Sequence, residues 1–389
     1  MSKRTLSAIA AVITIACMTV SAQTLTTLHS FNGADGLSPD GALVRGSDGN
    51  FYGTTALGGA NSKGTAFKID AAGTLTTLHS FSGFPTDGAL PAAGLVQDSL
   101  GIFHGTTASG GLFYQGTVFG MTSSGVTLVL HSFNSFLGEG AVPTAGLVQG
   151  TDGNFYGTTV SGGDHFKGTV FKITLLGTLT TLHSFSGSPS DGAVPTAGLV
   201  QGTDGNFYGT TASGGAHFQG TVFQITPAGV LTVLHSFSGY PTEGAVPSAA
   251  LVRGNDGNFY GTTGSGGAHF QGTVFKIDAT GNLMTLHSFS GSPSDGTVPV
   301  AGLVQGTDGN FYGTTAAGGA HYQGTAFEIT PAGVLSVLHS FSGSPSEGAG
   351  PVAGLLQGTD GNFYGSTALG GANSKGTLFK LSSSSISNN

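Results

Sequence analysis

The sequence predicts an all-β fold, a seven-bladed β-propeller with four antiparallel strands in each blade. Three observations predict it: a 52-residue unit is written seven times, each unit divides into four short strand-like runs, and the chain ends fall one run out of phase with the repeat. Internal periods of this length mark propellers, solenoids or arrays, and four strands per unit single out the propeller.

The repeat is legible from three markers. The Phe that opens the Phe-Tyr-Gly run, Phe-His-Gly in the second unit, falls at Phe51, Phe103, Phe155, Phe207, Phe259, Phe311 and Phe363, always 52 residues apart. His-Ser-Phe places its histidine at His29, His79, His131, His183, His235, His287 and His339. Gly-Thr-x-Phe recurs seven times as well, from Thr65 to Thr377.

One unit justifies the four strands in order. Residues 145–149 form the first, and Thr151-Asp152-Gly153 is a turn. Residues 154–159 form the second, followed by a longer loop through Gly162-Gly163. Residues 168–174 form the third, and a turn at Gly177 leads to the fourth, residues 178–185. Thr, Val, Phe, Tyr and Leu fill the strands, while Gly, Asp, Pro and Ser punctuate them. No segment carries the i, i+3, i+4 apolar spacing of an amphipathic helix. Glycines such as Gly146 are expected near the axis, where crowded backbones approach.

Closure follows from the ends. Residues 24–31 read as a fourth strand without the preceding three, and residues 376–381 as a third strand lacking its fourth. The N-terminal strand is expected to complete the seventh blade, since an open solenoid would leave two raw edges.

Composition excludes several classes. The 70 Gly show no Gly-X-Y period, so collagen is out, and only 30 of 389 residues are charged, which fits neither a coiled coil nor a charge-rich disordered chain. Net charge is −8 with scattered basic residues, which argues against nucleic acid as a partner.

Residues 1–22 read as a secretory signal peptide: Lys3 and Arg4, an apolar run over residues 6–16, then Val20-Ser21-Ala22. Lipidation at Cys17 is the alternative. The chain divides into this leader, a propeller over residues 23–382 and a disordered Ser/Asn tail over residues 383–389. The protein is expected to be secreted, at the cell surface or periplasmic, and monomeric. After cleavage it has no cysteine, so core and ladders alone must hold it. No transmembrane segment is expected in the mature chain.

The whole unit, His-Ser-Phe-Ser-Gly through Asp-Gly-Ala-Val-Pro-x-Ala-Gly-Leu-Val-Gln-Gly-Thr-Asp-Gly-Asn-Phe-Tyr-Gly-Thr-Thr to Gly-Thr-Val-Phe-Lys-Ile, resembles the GloVer tandem repeat of secreted "choice-of-anchor" bacterial proteins. The resemblance covers residues 23–382 and implies export and a repeat array. The anchoring segment that such proteins often carry is not expected at residues 382–389. Kelch propellers are a looser analogue, and the absence of Trp speaks against membership.

The fourth-to-first and second-to-third connections are the long ones and are expected on one face. The first holds an acid before Gly in every unit: Asp35, Asp87, Glu139, Asp191, Glu243, Asp295 and Glu347. The second holds His165-Phe166, His217-Phe218, His269-Phe270 and His321-Tyr322, with Phe113-Tyr114 at the same place in the second unit. Sugars could be held there by ring stacking and hydrogen bonds, or a protein partner docked. The structural alternative is that the acids tie turns and the rings plug gaps between blades. The turn acids Asp48, Asp152, Asp204, Asp256, Asp308 and Asp360 are expected on the opposite face as structural groups.

No catalytic residue is assigned. His183 and Ser184 point to opposite faces of their strand and cannot act as base and nucleophile. A hydrogen bond from each of these histidines to the following loop is expected instead. No metal motif occurs and no cofactor is expected, although calcium at the Asp-Gly loops stays open. The preferred reading is an exported, non-catalytic scaffold binding glycan or a cell-surface protein through the long-loop face. The alternatives are a polysaccharide- or lactone-acting hydrolase or lyase, and a ligand-free envelope protein. Any chemistry would be sought in the divergent second unit, at residues 98–100, His104 and residues 112–114.

Overall fold

The computed structural model describes residues 23–382. Seven four-stranded antiparallel sheets close a ring. In the third blade the strands run outward as Val148–Gln149, Phe155–Thr159, Thr169–Ile173 and Leu179–Ser184. The innermost strand is shorter than residues 145–149. The Ala145 carbonyl is taken up by the Thr106 hydroxyl of the preceding blade instead of by a ladder. Among the described residues there is no α-helix, only a 3-10 turn at Ser135–Leu137.

The ring closes as the ends demand. Leu25–Ser30 pairs antiparallel with Thr377–Leu381, from Leu25 opposite Leu381 to Ser30 opposite Thr377. It supplies the outer strand of the seventh blade.

The core lies between blades rather than at the centre. Seven apolar clusters occupy seven blade boundaries. Between the third and fourth blades, Tyr156, Val170 and Phe185 meet Leu199, Phe207, Phe223 and Ile225. Tyr156 stacks on Phe207 with centroids 3.9 Å apart. Each fully buried apolar side chain of this size contributes roughly 1.5–3 kcal/mol. Both faces of each sheet are therefore apolar, which is why the strands read as Val-Phe-Lys-Ile and not as strict alternation.

Two glycines show what the packing requires. A Cβ on Gly157 would lie 2.6 Å from Phe171 Cζ, so glycine lets that ring cross the second strand. A Cβ on Gly146 would lie 3.2 Å from the Gly94 carbonyl oxygen, the close approach near the axis that the sequence anticipates. Buried threonines tie the frame together. Thr159 and Thr169 share a hydroxyl hydrogen bond of 2.8 Å, and the Thr158 hydroxyl donates to the Ala197 carbonyl at 2.9 Å.

Candidate functional site: the long-loop face

The two long connections of each unit meet on one face. Gly192–Ala193, in the crossover from the third to the fourth blade, pairs antiparallel with Ser213–Gly214 in the fourth blade's own loop. Six such ribbons form, and a Leu37–Leu57 bridge takes the seventh place. Ribbons of two residues are too short for alternation to reveal them in a sequence.

The seven acids turn inward. His183 Nε2 lies 3.0 Å from Asp191 Oδ2, and the equivalent pairs all fall between 2.9 and 3.1 Å. Asp191 also accepts the backbone N–H groups of Ser186 at 2.9 Å and Gly192 at 2.8 Å. Each acid is thus a latch between the outer strand and the crossover that follows. Burial pushes four of these carboxyls up. The histidine and backbone N–H bonds outweigh it and hold Asp87, Asp191, Glu243 and Glu347 below the ordinary carboxylate range. The expected bond from histidine to the following loop is present in every unit. Among the described residues no three His, Cys, Asp or Glu side chains come together as metal ligands would.

The aromatic rings turn outward. Phe166 is 75% exposed, Phe218 71%, Phe270 60%, Tyr322 72% and Tyr114 61%. His165, His217, His269 and His321 beside them are exposed too. Every one of these rings sits on left-handed backbone: φ is 57° at Phe166, 62° at Phe218, 61° at Phe270, 62° at Tyr322 and 61° at Tyr114. Such a conformation costs a side chain with a Cβ about 1–2 kcal/mol. The first and seventh blades place Ser62 and Ser374 at this position with φ 55°, so the display spans five of the seven boundaries.

Two rings carry a partner. Phe84 from the crossover stacks on Tyr114 at 4.1 Å and 12°, and Tyr240 stacks on Phe270 at 3.8 Å and 11°. At three other boundaries the crossover position of Phe84 and Tyr240 is Ser188, Ser292 or Ser344, whose hydroxyls donate to the carbonyls of Gly215, Gly319 and Gly371, while between the second and third blades it falls on Phe136, exposed in the 3-10 turn.

The crossovers hold a feature that sequence reasoning missed. Val142, Val194, Val246 and Val298 also adopt left-handed backbone, with φ between 57° and 60°. For a β-branched residue this is a genuine outlier. It is imposed from both sides, since Val194 N–H donates to the Lys167 carbonyl at 2.9 Å and its carbonyl accepts from Ala212 N–H at 3.0 Å. The one signal was Gly350, which takes the same place in the last unit with φ 61°.

The opposite face is structural. Tyr156 Oη donates to Asp152 Oδ2 at 2.8 Å, and Asn154 caps the same turn. Burial first, and then the carboxylate partner, push the Tyr208 and Tyr364 hydroxyls up to about 12. In the second unit Leu100 replaces the acid, and His104 meets Asp98 instead at 3.0 Å, with both side chains buried. The shorter imidazole needs its acid two residues earlier in the turn. His104 also lies at the other end of the Phe103–Thr107 strand from Phe113 and Tyr114, with about 10 Å of strand between it and their loop at ~3.3 Å per residue. The divergent residues of that unit do not converge.

Comparisons with known proteins agree with this architecture. A family model described as the Gloeobacter/Verrucomicrobia repeat matches residues 13–203, 94–308 and 196–388. A search of curated protein sequences gives no match. Among solved structures, virginiamycin B lyase from Staphylococcus aureus is 14% identical, with a TM-score of 0.61 over 93% of this chain and 99% of its own. The extracellular domain of a provisionally assigned hybrid two-component system from B. thetaiotaomicron is 12% identical, with a TM-score of 0.60 over 92% of this chain and 41% of that one. A provisionally named 6-phosphogluconolactonase from Bacteroides uniformis is 18% identical, with a TM-score of 0.53 over 79% of this chain and 85% of its own. At these identities the likeness is one of fold.

Proposed function

We propose that this chain, which belongs to the Gloeobacter/Verrucomicrobia repeat family, is an exported, non-catalytic scaffold that binds glycan through its long-loop face. The observation that carries the reading is the exposed aromatic ring held on left-handed backbone at five successive boundaries. The loop takes this backbone at all seven positions, Ser62 and Ser374 included, so what the five rings add is the display itself, and flat apolar rings beside imidazole donors suit the faces and hydroxyls of sugars. Phe166, Phe218, Phe270 and Tyr322 supply the stacking surface, and His165, His217, His269 and His321 supply hydrogen bonds. Asp191, Glu243 and Asp295 act one step back, fixing the crossovers.

Near-identical units favour binding over catalysis. A reaction needs unlike groups meeting once, whereas here one set of side chains recurs around a ring and suits weak contacts made several at a time. The His–carboxylate pairs sit on outer strands of separate blades, so they cannot pool their chemistry. Export is supported by the pattern of residues 1–22, which lie outside the described residues together with Cys17 and the tail over 383–389. Among the described residues no helix is long and apolar enough to cross a membrane.

The test is a combined Phe166→Ala, Phe218→Ala and Tyr322→Ala variant, measured against a panel of immobilised polysaccharides. Each ring is worth ~0.5–1.5 kcal/mol of stacking, so binding should fall at least about tenfold. Unchanged retention, with the melting curve also unchanged, would remove the ring surface from the function. Turnover of a polysaccharide or lactone by the purified protein would favour the hydrolase or lyase reading instead.

A further inference from the structure

The seven boundaries are not equivalent, and their differences single out one of them. Each is built from a residue before the third strand, a crossover residue and the displayed residue. At two boundaries the crossover ring fills the space over the displayed ring: Phe84 over Tyr114 and Tyr240 over Phe270. Those two displayed rings are also the less exposed, at 61% and 60%. Between the third and fourth blades the crossover residue is Ser188, turned down onto the Gly215 carbonyl at 2.7 Å. The space that Phe84 and Tyr240 fill elsewhere is a cavity there of about 200 Å³, lined by Lys167, Gly187, Ser188, Gly214 and Phe218. That is below the ~300–1,000 Å³ of pockets for drug-sized ligands and on the scale of a single ring.

Lys167 gives the cavity its charge. Its chain folds over Gly187, where a Cβ would fall 2.8 Å from Lys167 Cδ and 3.5 Å from Nζ. Among the described residues the lysine–carboxylate ion pair is that of Lys276 with Asp256, on the other face, so no carboxylate is paired with the Lys167 ammonium. The similarly open boundary at Ser292 and Tyr322 has Gln271 in the lysine's place, and the boundary at Ser344 has Gln323 and no ring. Lys63 stands at a boundary that Phe84 already fills. Cation, free ring face and open crossover coincide at the third-to-fourth boundary.

We infer that this boundary is a pocket for an acidic sugar, a uronate residue whose ring lies on Phe218 and whose carboxylate meets Lys167. The inference rests on the glycan-binding reading and names the residue class that this pocket selects. Asp191, the latch acid of this crossover, does not line the cavity and spends its oxygens on His183, Ser186 and Gly192.

Calorimetric titration with a galacturonate hexamer and its methyl ester tests it, since esterification removes the charge and keeps the rings. The wild-type protein should bind the acid about tenfold more tightly than the ester, the value of one charge-assisted hydrogen bond. Lys167→Gln should bring the acid down to the ester's affinity, and Lys167→Arg should keep most of the preference. Ser188→Tyr copies the filled boundary at Tyr240, so it should fold and lose both ligands from this pocket. Equal binding of acid and ester by the wild type, a preference that survives Lys167→Gln, undiminished binding by Ser188→Tyr, or no binding of either hexamer would each overturn the inference. Ester binding as tight as acid binding, still abolished by the triple ring variant, would overturn this assignment alone and leave the broader reading standing.

Discussion

Replacing Phe218 with Asn separates ring display from folding. The ring is 71% exposed, so truncation gives up less than a third of its surface. That is about 60 Å² of a side chain that can bury ~200 Å², worth roughly 1.5 kcal/mol at ~25 cal/mol/Å². Against this stands the backbone at φ 62°, which asparagine tolerates better than phenylalanine and which returns ~1 kcal/mol. The two nearly cancel, and the variant should unfold within ~1 kcal/mol of wild type. Phe207, eleven residues earlier, supplies the contrast. It is fully buried and stacked on Tyr156, so Phe207→Ala should cost ~3–5 kcal/mol. Urea denaturation followed by circular dichroism measures both. A loss above ~2 kcal/mol for Phe218→Asn would make the ring a packing element and refute the argument that it is displayed.

Three further outcomes follow from the same geometry. Asp87, Asp191, Glu243 and Glu347 have folded-state values held below their unfolded ones, so their contribution is complete above the unfolded carboxylate range and drains away as pH falls through the folded values. The melting temperature should therefore drop on acidification below about pH 4, and less steeply once these acids are made amides. Deleting residues 23–30 should expose the outer edge of Thr377–Leu381 and make the protein self-associate, which light scattering would detect; a monomeric, equally stable truncation would contradict the closure. His104→Tyr alone should destabilise by ~1–3 kcal/mol through overpacking against Asp98, while adding Asp98→Gly and Leu100→Asp should restore the pattern of the other blades. If the single variant melts like wild type, the His104–Asp98 exchange is not a matched pair.

Architecture was legible because repetition amplified a weak signal. One unit with two-residue inner strands would say little, but seven in register, with Leu25–Ser30 left over at one end and Thr377–Leu381 unpaired at the other, specify a closed ring. The link from His183 to its loop was legible for a similar reason, since acid and histidine recur together at a nearly fixed separation. What could not be read was backbone conformation at Val194 and Phe218. Neither residue type advertises positive φ: Val194 is held there by bonds to Lys167 and Ala212 in other loops, and Phe218 by the turn in which its N–H reaches the Gly215 carbonyl. Nor could the sequence tell which rings are already covered. That depends on Phe84 meeting Tyr114 across thirty residues while Ser188 leaves Phe218 bare.

The pairing of Leu25–Ser30 with Thr377–Leu381 joins two segments that lie roughly 350 residues apart along the chain. Six sheets are each built from neighbouring segments, whereas the remaining one carries the whole closure entropy of the ring. Until that seam zips, two unsatisfied margins face solvent, so locking the circle and removing its last adhesive borders are one and the same event.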